Sequence, residues 1–264
     1  VLQKCYGLRP VGSAAIRVGT SGWTYPEWRG DFYPARLAQR RELEHLAGRL
    51  ASVEVNGSFY GDRTPRDYRS WANRTPEGFT FAVKGPRSVT HVHALRDVKA
   101  PLDAFSASGP EELGAKLGPI LWQLPPSLPF DARLADFLAL LPEGRHAVEP
   151  RHPSFTDPAF RALLERHGVA LVLADAAGAF PEFDHRTADF HYVRLHGERE
   201  LYRGSYPEES LKRWADRVST FEGDTYVYFD NTMDGAAPHN AETLAALLGT
   251  TPTWAATEPD PTLF

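Results

Sequence analysis

Ser52-Val53-Glu54-Val55-Asn56-Gly57-Ser58-Phe59-Tyr60 is the stretch on which the fold turns. Side chains alternate along a strand, so Val53 and Val55 share one face while Glu54 and Asn56 share the other, near the downstream end. An edge strand wetted on one side would look the same. The arrangement recurs, however. Residues 79–84 end in Lys84, residues 117–124 carry Gln123, and residues 146–149 end in Glu149. The apolar run 169–174 meets Asp175, residues 190–196 place Tyr192, Arg194 and His196 on one face, and residues 225–229 lead into Asp230 and Asn231. With residues 16–21 as the first, these are eight strand candidates. If they are parallel strands of one closed sheet, their polar ends converge on a single site.

Helical segments alternate with the strands. Leu43, Leu46 and Leu50 have helical spacing, and Thr64-Pro65 opens a helix through Tyr68 and Trp71 that Pro76-Glu77-Gly78 stops. A broken helix is expected over 101–117, a regular one over 131–141, and another from Asp157-Pro158 to Gly168. Residues 207–221 and 240–248 complete the set, and the connection between strands six and seven is weakly helical at best. Right-handed crossovers then give a TIM-like (β/α)8 barrel. A doubly wound sheet is the alternative, but Gly19-Thr20-Ser21-Gly22-Trp23 is not its dinucleotide fingerprint. The expected limits are an N-terminal extension at 1–15, a single barrel domain at 16–249 and an irregular tail at 250–264.

The 264 residues, 42% hydrophobic and 24% charged, suit a soluble chain with a substantial core. A net charge of −5 argues against broad attraction to nucleic acid or an anionic membrane, although a local basic pocket can hide beneath that average. Lys4, Lys84, Lys99, Lys116 and Lys212 are the lysines, so arginine supplies most of the positive charge. Cys5 stands alone, which leaves no intramolecular disulfide. Without a signal-like start or an 18-residue apolar run, the expected location is cytoplasmic, with no membrane partner.

The stretches VGTSGWTYPEWRGDFYP, VEVNGSFYG, FAVKGPRSVTH, LGPILWQLPPS, AVEPRHPSF, ADFHYVRLHG and YVYFDNT occur in this order. From about Ile16 to Leu248 the chain resembles the DUF72 family, the YecE-like (β/α)8 proteins of unknown function. The resemblance implies a polar cavity at the C-terminal face of a TIM-like barrel. Its recurrent polar positions fall on Glu54, Asn56, Tyr60, Lys84, His91, Gln123, Glu149, Arg151, His152, Asp175, Arg194, His196 and Asn231. Gly57, Phe155 and Asp230 depart from the family's usual residues, the last standing where asparagine is common.

The chemistry expected at these positions is acid–base catalysis on a small polar or anionic substrate, phosphorylated or sugar-like. Glu54, Glu149, His196 and Asp175 are the catalytic candidates. Lys84, Arg151 and Arg194 would anchor the substrate, with Asn56, Tyr60, His91, Gln123, His152, Asn231 and Trp23 completing the pocket. Hydrolase, lyase and isomerase chemistry all fit these parts. Two carboxylates about 5 Å apart repel by roughly 3 kcal/mol at an effective dielectric near 20, so an internal ion-pair network is the structural alternative. Trp23, Tyr25 and Trp28 have two readings, a pocket wall or a packed lid. No cofactor is required by the pattern. A divalent metal on His91, His196, Glu149 or Asp175 is conceivable, but three basic side chains oppose it, and no metal ligand is assigned. The competing function is a non-catalytic protein that holds a metabolite or a nucleic-acid end. Nothing in the sequence bears on an oligomeric partner.

Overall fold

Eight parallel strands close into a barrel in the order β1 to β8, with each strand paired to its sequence neighbour and β8 returning to β1. They are β1 Ile16–Ser21, β2 Ser52–Val55, β3 Thr80–Lys84, β4 Leu117–Gln123, β5 His146–Glu149, β6 Ala170–Asp175, β7 Phe190–Leu195 and β8 Asp224–Phe229. The helices are α1 Glu42–Ala47, α2 Gly57–Tyr60, α3 Pro65–Asn73, α4 Lys99–Ala107, α5 Ala132–Ala139, α6 Pro158–His167, α7 Glu208–Ser219 and α8 Ala236–Leu247. This is a TIM-like (β/α)8 barrel. The computed structural model describes residues 14–256. Cys5, Lys4, most of the expected N-terminal extension and the last part of the expected tail lie outside them.

Strand alternation sorts the core into two layers. Val53 and Val55 join Leu43, Leu46, Trp122 and Phe137 between sheet and helices. Ala82, Leu121, Ala147, Val172, Phe190, Tyr192, Tyr226 and Tyr228 fill the barrel interior. Each large apolar side chain so buried contributes about 1.5–3 kcal/mol. Trp122 lies edge-on to Phe105 and Phe137 at centroid distances of 5.8 and 5.1 Å, which locks α4 and α5 onto β4.

Local signals explain the helix limits. Thr64 and Asp67 form a capping box with Pro65 in the first turn of α3, and Asp157 caps α6 before Pro158. The broken helix is α4 followed by a 3-10 segment, Pro110–Lys116, parted at Gly109, whose φ of 86° a residue with a Cβ rarely adopts. Pro119 falls where the β3–β4 register shifts between Phe81 and Val83, so its missing donor leaves no gap in the ladder. No helix occurs among the described residues between β6 and β7. Three features differ from expectation. α8 begins at Ala236 rather than near residue 240, because left-handed Gly235 starts it and Pro238 sits in the first turn, where no donor is needed. Residues 57–60 form the short α2, and Ser88–Val92 forms a π turn rather than an irregular loop. No described helix is long and apolar enough to cross a membrane.

Candidate functional site

The inward row at the C-terminal ends of the strands is polar. Ser21 of β1, Glu54 of β2 and Arg194 of β7 meet there with Glu149 of β5, and the row continues past the strand ends with His196 and Asp230. Arg194 is wholly buried. Its Nε and Nη2 donate to the two oxygens of Glu54 at 3.1 and 2.7 Å, Nη1 to Glu149 Oε2 at 2.6 Å, and Nη2 also to Asp230 Oδ2 at 3.1 Å and Ser21 Oγ at 3.0 Å. Glu54 accepts further bonds from the Ser21 and Tyr192 hydroxyls at 2.5 and 2.6 Å. His196 Nδ1 lies 2.9 Å from Asp230 Oδ2, and its Nε2 lies 3.2 Å from Glu149 Oε1.

Removing an ion from water costs several kcal/mol even after relaxation, and only paired charges with filled hydrogen bonds recover it. This network meets that condition. Burial pushes the Glu149 carboxyl up, but Arg151, Arg194 and His196 outweigh it and hold the group well below the ordinary carboxylate range. Asp230 is likewise raised by burial and brought far down by Arg194, His196 and Lys84.

Lys84, Gln123, Arg151 and Asp230 lie nearer solvent, retaining 6–9% exposure. Lys84 Nζ donates to Gln123 Oε1 at 2.8 Å and sits 4.2 Å from the centre of the Phe59 ring. Among the described residues, no carboxylate lies within 4.0 Å of it, in contrast to Arg151 and Arg194. Burial, followed by the Arg194 charge, lowers its ammonium to about 8 against the pull of Glu54, Asp230 and Glu149. Arg151 grips Glu149 Oε1 through Nε and Nη2 at 2.9 and 2.8 Å, donates from Nη1 to Tyr202 at 3.0 Å and stacks on Phe180. His91 packs edge-on to Phe59 and contacts Thr90 through Nδ1. Burial, then Lys84, Arg87 and Arg151, lower it to about 4, so it is neutral at pH 7. Asn56 donates to Ser21 Oγ at 2.7 Å, while its buried Oδ1 has no protein partner.

The expected residues therefore separate into groups. Glu54, Glu149, Arg194 and His196 form the buried network; Lys84, Arg151, Gln123, Asn56 and His91 lie above or beside it. Tyr60 stands on the rim, 79% exposed. Asp175 requires correction: Ala170, Val172 and Ala174 face the interior, so Asp175 faces outward, where Tyr206 donates to it at 3.0 Å. Burial raises its carboxyl. Asn231 is displaced for the same reason. It points away to Gly204 and Asn240, and the inward group at the end of β8 is Asp230. Trp23 packs edge-on to Trp71 of α3 at 5.3 Å, and His152 Nδ1 caps the turn at Ser154. Ser21, Tyr192, Tyr202 and Asp230 were absent from the expected set. Counting alternate residues back from His196 and on from Tyr226 finds Tyr192 and Asp230; only the fold brings in Ser21 and Tyr202. Among the described residues, no three His, Cys, Asp or Glu side chains are grouped so as to hold a metal ion.

The model of a family described as "protein of unknown function DUF72" matches residues 17–263. The chain belongs to the DUF72 family. A solved DUF72 protein from Thermotoga maritima is 30% identical, with a TM-score of 0.80 over 89% of this chain and 99% of that one. One from Enterococcus faecalis, 19% identical, shares the fold with a TM-score of 0.77 over 89% of this chain and 95% of that one. The UPF0759 protein YecE of Escherichia coli K12 is 29% identical over 171 residues, 61% of this chain and 59% of that relative. The match thus spans about three-fifths of YecE. DUF72 membership gives the barrel and its polar mouth a family, and leaves the chemistry to be argued from the side chains.

Proposed function

We propose that this DUF72 protein is an enzyme that binds a small polar or anionic substrate over Lys84 and Arg151 and acts on it by acid–base chemistry. The observation that carries this reading is Lys84, a buried amine at the barrel mouth that no carboxylate among the described residues contacts, while the neighbouring Arg151 and Arg194 are paired. A purely structural network has no use for such a group. Proton transfer is most effective when the pKa lies near the working pH, and Lys84, at about 8, is better matched than the strongly acidic Glu149 and Asp230. Arg151 keeps one N–H on each terminal nitrogen for an oxyanion. The free Asn56 Oδ1 can accept from a substrate hydroxyl. Glu54, Glu149, Arg194, His196 and Asp230 hold the electrostatic frame. Asp175 and Asn231 are left out of the mechanism.

The test is a thermal-shift screen of phosphorylated sugars and sugar acids, followed by turnover assays on whatever binds. The wild type should be stabilised by at least one compound, Arg151→Lys should bind it more weakly, and Lys84→Arg should bind it without turnover. A protein that only holds its ligand would keep binding and show no turnover even as wild type. Equal stabilisation of wild type and Arg151→Lys would remove the proposed anion site.

A further inference from the structure

Resting on that reading, we propose that Lys84 is a nucleophile that condenses with the carbonyl carbon of a small aldehyde or keto acid whose anionic group is held by Arg151. The other described lysines are occupied differently. Lys99 pairs with Asp103 at 2.7 Å, Lys212 with Glu208 at 2.9 Å, and Lys116 donates to Ala72 O, Thr75 O and Thr75 Oγ1. Lys84 has one neutral acceptor, Gln123, and the face of Phe59. A side chain meant only to carry fixed charge at this position would be better as arginine, which does not titrate in the working range and forks onto anions. This chain draws most of its positive charge from arginine and uses Arg151 and Arg194 in the same site. Lys84 supplies what arginine cannot, a nitrogen lone pair.

The surroundings favour the neutral amine. Arg194 opposes the ammonium, Glu54, Asp230 and Glu149 favour it without touching it, and burial settles the balance toward ready deprotonation. His91 is neutral, its proton opposed by burial and by the charges of Lys84, Arg87 and Arg151.

The chemistry balances without a further reagent. The ammonium gives up a proton to solvent, the amine lone pair forms an N–C bond to the carbonyl carbon, and the π pair moves to oxygen, which takes a second proton from the nitrogen and so restores the nitrogen lone pair. The nitrogen lone pair then forms C=N as the C–O bond breaks, and the hydroxyl departs as water with the returned proton. Ammonium and carbonyl thus become iminium and water. The iminium draws electrons from the adjacent carbon, assisting loss of a proton or cleavage of a bond there.

The full chain is incubated with glyoxylate and sodium cyanoborohydride, which delivers hydride to an iminium carbon and leaves a stable secondary amine. Intact mass and peptide mapping locate the product. The expected result is one adduct per chain, on Lys84, with a rate that rises through about pH 8 as the amine deprotonates, and no adduct at residue 84 in Lys84→Arg. Labelling of Lys99 or Lys212 with Lys84 unmodified in the wild type would overturn the covalent step, and so would no labelling. A parallel thermal-shift measurement with glyoxylate and the phosphorylated panel separates the two claims. Stabilisation without trapping removes the nucleophile and leaves the anion-binding enzyme; no stabilisation and no trapping removes both.

Discussion

Lys84 costs the folded protein stability. Its amine is held at about 8 against an ordinary 10.5, a difference equivalent to about 3 kcal/mol against the buried ammonium. Because the folded-state value is the lower one, the unfolded chain binds more protons between about pH 8 and 10.5, and stability rises with pH through that window. Lys84→Met removes this penalty but leaves Gln123 Oε1 without its donor, a loss of about 1 kcal/mol. The variant should therefore be more stable than wild type near pH 7 by about 2 kcal/mol in urea denaturation, with the gain vanishing above about pH 10. A lysine kept for structure would give the opposite, a less stable variant at every pH. A group retained at a cost to folding is what a functional site requires.

At the scale of the strand, alternation and close approach govern the site. Gly19 pairs with Ser52 across β1 and β2, and a Cβ there would stand 2.1 Å from Ser52 O. Gly19→Ala has to push backbone from backbone beside the Ser21–Glu54 contact, and should lower stability by about 2 kcal/mol or more in urea denaturation. Change within about 0.5 kcal/mol would mean that the strands yield freely. Alternation is also why so much was legible in the sequence. The strands end in polar groups, and Glu54, Lys84, Glu149, Arg194 and His196 share the parity of the inward row. Asp175 and Asn231, positions that the family resemblance implies, have the opposite parity, which turns Ala174 and Asp230 inward in their place. Ser21 and Tyr202 were invisible because their roles come from partners 33 and 51 residues away. The π turn that presents His91 leaves no periodic signal in five residues.

For the molecule as a whole, the barrel converts distant strand ends into one charged centre, so acid should dismantle it cooperatively. Glu149 and Asp230 are held below their ordinary values of 4.5 and 3.8. Groups depressed in the folded state contribute stability that is present above those values and lost as pH falls below them. Urea midpoints should fall steeply below about pH 4.5. Asp230→Asn removes one of the titrating groups and should fall less steeply; an unchanged slope would show that Asp230 is not part of the buried network. The Lys84 amine is central to the proposed chemistry, and with five lysines in the chain each can be followed by NMR of carbon-13-labelled lysine side chains. One resonance, absent from Lys84→Arg, should titrate near 8 and alone move when glyoxylate is added. If every lysine instead titrates near 10.5 and none responds to glyoxylate, the mouth of this barrel does not hold the reactive amine on which the proposed chemistry depends.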